Sequence, residues 1–202
     1  MKKLVIASNN PGKLREFQAM LAPLGIEVLT QAQLGIAEAE EPHCTFVENA
    51  LAKARHVSAA CGLSALADDS GICVEALGGA PGVLSARYAG EPKSDARNNE
   101  KLLEVMQGVE DRRAHYYCVL VLVHHADDPQ PLIAEGEWHG EIAYEERGNG
   151  GFGYDPLFWL PELDKMSAEL SRDEKAQISH RAKALQILLQ RIKITSKITP
   201  NL

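Results

Sequence analysis

The pattern of hydrophobic and polar positions predicts strands and helices in mixed order. An apolar run at Lys3 to Ser8 is typical of a buried strand, and apolar residues at helical spacing after Gly12 predict a helix directly behind it. Thr45 and Glu48 form a capping box, which predicts a helix that Gly62 ends. Further strands are predicted at 27–30, 64–67, 72–77, 116–125, 132–146 and 157–160, and further helices at 94–106 and from 171 onward.

The predicted order of elements favours an α/β or α+β protein with a long, twisted mixed sheet and a cleft between two lobes. With 202 residues, 45% hydrophobic and 24% charged, the chain should form a single domain spanning 1–202 rather than a disordered or fibrous protein. The four cysteines have no C-x-x-C spacing, which favours a reducing cytoplasm.

Charge and hydropathy exclude two classes of partner. The net charge of −7 gives no general attraction to nucleic acid polymers or to a membrane surface. No apolar run is long enough to span a bilayer. An anionic ligand would therefore need locally placed cations.

The first candidate segment is the turn from Ser8 to Lys13, which connects the first predicted strand to the first predicted helix. Exposed N–H groups and the helix dipole favour phosphate at such a place, and Lys13 adds a cation. The segment is neither a Walker A loop nor a G-x-G-x-x-G loop. The alternative is an ordinary turn with a solvated lysine.

The second candidate segment is acidic. Asp68 and Asp69 follow an apolar strand, and Glu40 and Glu41 lie in a loop upstream, near Glu38. Oxygen ligands without His or Cys pairs favour Mg²⁺ over Zn²⁺. Adjacent residues of a strand point to opposite faces, so only one of the two aspartates can face a metal directly. The alternative is an acidic turn with solvated charge.

The third candidate segment is glycine-rich, from Gly148 to Gly153. Glycines allow close backbone approach to a ligand, Phe152 and Tyr154 offer flat faces for a base, and Asp155 adds an acceptor. The alternative is a bulge or hairpin with two core aromatic residues.

The last helical segment carries Lys175, His180 and Arg181. On one unbroken helix Lys175 and Arg181 would lie about 120° apart, too far to converge on one small group. We therefore predict that the helix breaks at Ser179, which would cap a second helix. The alternative is an ordinary cationic helix face.

The order of six motifs resembles one known family. These motifs are S-N-N-P-G-K from Ser8, T-F-V-E-N-A from Thr45, A-D-D-S-G from Ala67, G-G-A-P-G-V-L-S-A-R-Y-A-G from Gly78, G-G-F-G-Y-D-P before Leu157, and S-H-R from Ser179. Together they resemble the noncanonical purine nucleoside triphosphate pyrophosphatases, the Ham1-like family. The family's first motif often reads T-G-N; here Ser8 keeps the hydroxyl and Asn9 replaces the glycine.

The resemblance implies an α/β fold with an elongated mixed sheet flanked by helices, and a homodimeric, Mg²⁺-dependent enzyme. Such an enzyme hydrolyses ITP, dITP and XTP to the monophosphate and pyrophosphate. Asp69 would be the general base and a metal ligand, with Glu40 or Glu41 as a second ligand, and Ser70 would touch the substrate. The triphosphate would be held by Ser8, Asn9, Asn10, Pro11, Gly12 and Lys13, and Lys53 is a second candidate cation for it. The purine base of the substrate would be surrounded by Phe152, Gly153, Tyr154, Asp155, Lys175, His180 and Arg181.

Two other functions fit parts of the pattern. A Maf-like pyrophosphatase would act on other modified or pyrimidine triphosphates, and a panel of substrates would distinguish it. A non-catalytic module would bind ITP without releasing pyrophosphate, although every acidic residue of the D-D-S-G segment is present.

Overall fold

The computed structural model describes residues 3–22 and 25–198, and side chains of the last helix up to residue 192. Residues 1–2, 23–24 and 199–202 of the predicted domain lie outside the described residues. The helices are α1 (Pro11–Leu21), α2 (Phe46–Cys61), α3 (Asp95–Val105), α4 (Arg172–Ile178) and α5 (His180–Ile198). The strands are β1 (Lys3–Ala7), β2 (Glu27–Thr30), β3 (Ala65–Val74), β4 (Arg113–Val123), β5 (Leu132–Ile142), β6 (Phe158–Leu160) and β7 (Lys165–Met166).

The described strands form one seven-stranded mixed sheet, in the order β2-β1-β3-β4-β5-β6-β7. β1 pairs in parallel with β2 and with β3, whereas β6 pairs antiparallel with β5 and β7. Parallel neighbours need a crossover connection. Helix α1 connects β1 to β2, and α2 lies between β2 and β3 in the chain. The α/β class with a mixed sheet is therefore confirmed.

The chain divides into two compact units, and the boundary falls within three strands. The first unit contains the described residues up to Asp69, Val119–Glu135 and the described residues from Ala184 onward. The second unit contains Ser70–Cys118 and Gly136–Lys183. Each unit is thus built from separate stretches of sequence.

Each unit has its own hydrophobic interior. In the first unit the apolar residues of β1 and the segment from Val119 to Val123 are almost fully buried, as expected for strands covered on both faces. Phe17 of α1 and Val57 of α2 are also buried. In the second unit β3, β4 and β5 contribute to a cluster that includes Trp138 and Phe158.

The prediction that Asp68-Asp69-Ser70-Gly71 breaks a strand is wrong. β3 runs without interruption from Ala65 to Val74 through all four residues. Acidic residues are normally depleted in strands, but both aspartates here are buried and each forms an ion pair with a lysine. Ion pairs with residues distant in sequence therefore outweigh the low intrinsic strand propensity of the two aspartates.

No helix among the described residues is long and apolar enough to cross a membrane.

Candidate active site

The turn after β1 is organised by the Asn10 side chain. Asn10 caps α1, and its Oδ1 accepts from the backbone N–H groups of Gly12 at 2.8 Å and Lys13 at 3.1 Å. Ser8 Oγ in turn accepts from the Asn10 N–H at 3.2 Å. Pro11 occupies the first helical turn, where its missing N–H costs nothing. Two N–H groups that the sequence suggested for phosphate are therefore already paired with Asn10. The Lys13 side chain is then the main group of this turn for contact with phosphate.

Lys13 points to the strand that carries the acidic residues. Its Nζ forms an ion pair with Asp68 Oδ1, and the Asp68 side chain has no exposed surface. The Lys13 side chain keeps 16% of its surface exposed. A buried carboxylate thus fixes a cation beside the N-terminal turn.

Lys53 of α2 bridges two carboxylates. Its Nζ lies 2.8 Å from Asp69 Oδ1 and 2.6 Å from Glu41 Oε1. Asp69 is 7% exposed. We call Lys13, Glu41, Lys53, Asp68 and Asp69 the Asp69 cluster. All five belong to the first unit.

The Asp69 cluster shifts the pKa values of two of its members. Burial raises the pKa of Asp69, and Lys53 only partly offsets this effect. Burial alone would lower the pKa of Lys53, but the carboxylates of Asp69 and Glu41 outweigh it and raise that pKa. The charge of Glu41, which contacts the same ammonium, adds a smaller upward shift to the pKa of Asp69. Asp69 is thus a more basic carboxylate than an ordinary aspartate.

Asn49 is a member of this region that the sequence analysis missed. It lies one helical turn before Lys53, so both side chains share a face of α2. Its Nδ2 lies 3.5 Å from Asp69 Oδ2 and donates to the His43 carbonyl at 3.1 Å, while its Oδ1 accepts from the His43 N–H. Asn49 thereby anchors the end of the glutamate-bearing loop. The i, i+4 spacing after the capping box was the available signal.

The two candidate glutamate ligands have different surroundings. Glu41 contacts Lys53, whereas Glu40 is exposed. Because Glu41 and Asp69 converge on one cation, the structure favours Glu41 over Glu40 as the partner of Asp69.

In the second unit, the predicted helix break at Ser179 is confirmed. α4 ends at Ile178, and Ser179 has extended backbone angles of φ −66° and ψ 159°. Its Oγ accepts from the Ala182 N–H at 3.2 Å, which caps α5. The break places His180 and Arg181 in the first turn of α5, and Arg181 Nη2 donates to Ser70 Oγ at 2.9 Å.

Asp155 organises the glycine-rich loop. Its carboxylate accepts from Ser167 Oγ at 2.9 Å and from the Phe152 N–H at 2.9 Å, and it forms an ion pair with Lys175. Lys175 Nζ also lies 4.9 Å from the centroid of the Phe152 ring. Tyr116 Oη, at 3.4 Å, completes what we call the Asp155 cluster: Tyr116, Phe152, Asp155, Ser167 and Lys175. Asp155 therefore serves mainly to hold this loop and Lys175.

The two aromatic residues of the loop have different environments. Tyr154 is 3% exposed and its hydroxyl donates to the Ser85 carbonyl at 2.8 Å, so its ring is a core residue rather than a free stacking face. Burial raises the pKa of Tyr154 above its ordinary value. Phe152 is only partly buried. The structure thus favours Phe152 as the surface for a base.

His180 belongs to an aromatic stack that the sequence did not reveal. Its ring lies 4.8 Å from the Tyr116 ring with an interplanar angle of 9°. Burial, followed by the charge of Asp155, raises the pKa of Tyr116 well above its ordinary value. Tyr116 therefore donates its hydroxyl proton and links His180 to Asp155. Neither spacing nor residue type indicated this role, because Tyr116 lies within an apolar strand pattern.

Comparison with known proteins places the chain in one family. The model of the Ham1 family matches residues 4–191. A dITP/XTP pyrophosphatase of Nitrosomonas europaea is 68% identical over 190 residues, which cover 94% of each chain. A dITP/XTP pyrophosphatase of Ralstonia nicotianae is 65% identical over 197 residues, covering 96% of this chain and 98% of the relative.

Solved structures agree with the sequence comparison. A HAM1 protein from Coxiella burnetii superposes with a TM-score of 0.90 at 46% identity, covering 96% of this chain and 99% of the other. The Ham1 protein of Staphylococcus aureus superposes with a TM-score of 0.85 at 42% identity, covering 95% of this chain and 98% of the other.

Proposed function

Because the chain belongs to the Ham1 family, we propose that it hydrolyses noncanonical purine nucleoside triphosphates. The substrates are ITP, dITP and XTP, and the products are the nucleoside monophosphate and pyrophosphate. The observation that carries this proposal is the Asp69 cluster, in which the desolvated Asp69 carboxylate pairs with Lys53 and the neighbouring Asp68 pairs with Lys13. The family comparisons favour this activity over the Maf-like alternative.

Asp69 is the proposed general base. In the hydrolysis, a water molecule loses a proton and its oxygen attacks phosphorus. The P–O bond between the α- and β-phosphates then breaks, and pyrophosphate leaves. A carboxylate takes that proton more readily when its pKa is raised, as burial does at Asp69. Lys53 keeps the carboxylate in place through its contact with Oδ1 at 2.8 Å.

Lysines offset the charge of the triphosphate and of the pyrophosphate that leaves. Lys13 lies beside the N-terminal turn and pairs with one carboxylate, whereas Lys53 is shared by the two carboxylates of Asp69 and Glu41. We assign the first contact with phosphate to Lys13 for this reason. Fixed cations stabilise the growing charge without reorganising during the reaction.

The donor set of the Asp69 cluster fits Mg²⁺. Glu41 and Asp69 already direct oxygens at a single cation, the Lys53 ammonium. Among the residues that the structure describes, no group of three or more His, Cys, Asp or Glu could hold a metal. Mg²⁺ is commonly bound by one or two carboxylates together with substrate phosphates and water, so two protein ligands suffice. Bound Mg²⁺ would neutralise phosphate charge and polarise a phosphoryl oxygen.

Selectivity for a 6-keto purine follows from a hydrogen-bond donor at the base. Lys175 has three N–H donors, one of which is used by Asp155, and its ammonium lies over Phe152. The 6-keto oxygen would accept from such a donor, whereas the 6-amino group of adenine would face it with a second donor. Stacking on Phe152 with donation from Lys175 therefore favours hypoxanthine and xanthine over adenine.

Pyrophosphate release from a substrate panel tests the proposal. We expect release from ITP, dITP and XTP with Mg²⁺ present, and loss of activity on chelation. We expect much slower release from ATP, whose 6-amino group faces the Lys175 donor, and from GTP, whose 2-amino group distinguishes it from ITP and XTP. Release that persists in EDTA would refute the metal dependence. A preference for pyrimidine triphosphates would favour the Maf-like activity, and binding of ITP without any release would favour a non-catalytic module.

Lys13→Ala should chiefly weaken substrate binding. Loss of a charge-assisted contact of about 1.5–3 kcal/mol predicts a KM for ITP raised about tenfold or more, with a smaller loss in kcat from the lost stabilisation of the leaving pyrophosphate. Steady-state kinetics give both values. The control is Lys3→Ala, because Lys3 forms an exposed ion pair with Glu27 in the same unit. Unchanged saturation by ITP would contradict a triphosphate contact at Lys13.

Family membership also supports a homodimer in the cytoplasm. Light scattering coupled to size-exclusion chromatography should give twice the monomer mass of 22.0 kDa. A monomer mass at micromolar concentration would refute the dimer.

A further inference from the structure

Two side chains of α3 hold both backbone polar groups of Gly153. Asp95 Oδ2 accepts from the Gly153 N–H at 2.7 Å, and Asn99 Nδ2 donates to the Gly153 carbonyl at 3.2 Å. Asp95 and Asn99 are one helical turn apart and so share a face of α3. We call these two residues the Gly153 clamp. It acts on the residue directly after Phe152.

The helix that carries the clamp is itself firmly anchored. Ser94 caps α3 by accepting from the Arg97 N–H. Asn98, which is 2% exposed, donates to the Ser85 carbonyl and accepts from the Ala89 N–H at 2.8 Å. The Asn99 amide also donates to Glu146 Oε1 at 2.8 Å. The clamp is therefore part of a rigid support rather than of the loop it holds.

The held loop needs such a support. Gly148, Gly151 and Gly153 have positive φ angles, and a glycine-rich segment has more backbone freedom than any other. Asp155 fixes the Phe152 N–H from within the loop, and the clamp fixes Gly153 from outside it. Phe152 thus lies between two anchors, which set the direction of its ring relative to Lys175.

We infer that Asp95 and Asn99 are positioning residues for the purine end of the substrate. This inference rests on the proposed function, in which a purine stacks on Phe152. The clamp acts through the backbone of the loop and touches no reacting atom. Its loss should therefore weaken the binding of the base and leave the phosphate chemistry of the Asp69 cluster intact.

Asp95→Ala is the primary test, because Asp95 is exposed and its removal leaves no cavity. We expect the KM for ITP to rise about five- to tenfold, with kcat within about twofold of wild type. Product inhibition supplies a second readout. Inhibition by IMP should weaken by a similar factor, whereas inhibition by pyrophosphate, which has no base, should not change.

Two further variants separate the hydrogen bond from other roles of Asp95. Asp95→Asn retains an oxygen that accepts from Gly153 but removes the charge from the first turn of α3, and it should restore a KM within about twofold of wild type. Glu100→Ala removes an exposed acid from the same helix and should leave all constants unchanged. A KM for Asp95→Ala equal to that of Glu100→Ala would overturn the inference.

The Phe152→Ala background completes the experiment. If the clamp acts through Phe152, Asp95→Ala should add no further loss in KM there, because the two effects are coupled. Full additivity, or equal weakening of IMP and pyrophosphate inhibition, would overturn the inference and indicate a general structural role. If wild-type protein releases no pyrophosphate from any purine triphosphate, the proposed function itself fails, so the two failures are distinct.

Discussion

Asp69→Asn should fold and still bind ITP, while kcat falls about 10²- to 10⁴-fold, the usual contribution of a general base. The amide keeps the shape of the side chain, and its oxygen can still accept from Lys53, which lies 2.8 Å from Oδ1. It cannot take a proton from water. Pre-steady-state pyrophosphate release and equilibrium binding of ITP measure the two effects separately.

The same variant makes a prediction about stability. Because the folded-state pKa of Asp69 is raised, the ionised carboxylate is less favourable in the folded protein than in the unfolded chain. The stability that protonated Asp69 contributes is thus present below the pKa of the unfolded chain, and it is lost as the pH rises through the folded-state pKa. At neutral pH the neutral amide should therefore not lower the free energy of unfolding. Thermal unfolding at pH 7 checks this expectation.

Asp68→Asn is the matched comparison for Asp69→Asn. Asp68 is the neighbouring buried aspartate, but it points to the other face of β3 and pairs with Lys13. Its substitution should raise KM through Lys13 and lower kcat far less than Asp69→Asn does. If Asp69→Asn turns over like wild type, the general base is another residue.

Gly151→Ala should damage both the stability of the glycine-rich loop and the binding of the base. An added Cβ would lie 1.9 Å from Asp155 Oδ2, and the φ of Gly151 is +76°. Asp155 would have to move, which breaks its contacts with the Phe152 N–H and Lys175. A misplacement of about 1 Å in a substrate-positioning group can cost about 10²-fold, and we expect a loss of that order in kcat/KM for ITP.

The stability effect of Gly151→Ala has two parts. Left-handed strain costs about 1–2 kcal/mol, and lost charge-assisted hydrogen bonds cost about 1.5–3 kcal/mol. Together they predict a fall in Tm of about 5–20 °C for a chain of this size. Calorimetry of the purified variant gives the value.

Gly62→Ala is the control for strain alone. Gly62 ends α2 with φ +69°, and an added Cβ there would meet nothing within 4 Å. Its Tm should fall by only about 2–8 °C, and kcat/KM should stay near wild type. Equal losses in the two variants would show that the contact with Asp155 is unimportant.

Sequence patterns predicted the local elements that short-range chemistry controls. The capping box of Thr45 and Glu48 gave the start of α2, and Gly62 gave its end, because both signals act within one helical turn. The break at Ser179 followed from helical geometry together with the expectation that Lys175 and Arg181 act on one group. The candidate residues of the acidic and glycine-rich segments also followed from residue type and order.

Long-range partners account for what the sequence did not predict. The strand break at Asp68-Asp69 was wrong because Lys13 and Lys53 neutralise the two carboxylates from elsewhere in the chain. The burial of Tyr154 depends on the Ser85 carbonyl, and the hold on Gly153 depends on Asp95. Such contacts have no local period that a sequence pattern could reveal.

The sequence by itself determined which chemical groups this protein has and the short-range geometry of the turns and helix ends that carry them. Only the tertiary structure decided which carboxylate shares its lysine, which aromatic ring stays accessible and which helix steadies the glycine-rich loop. The physical reason is that desolvation and ion pairing depend on distances between groups remote in sequence. A change of a few ångströms in those distances changes the pKa of a carboxylate or the burial of a ring.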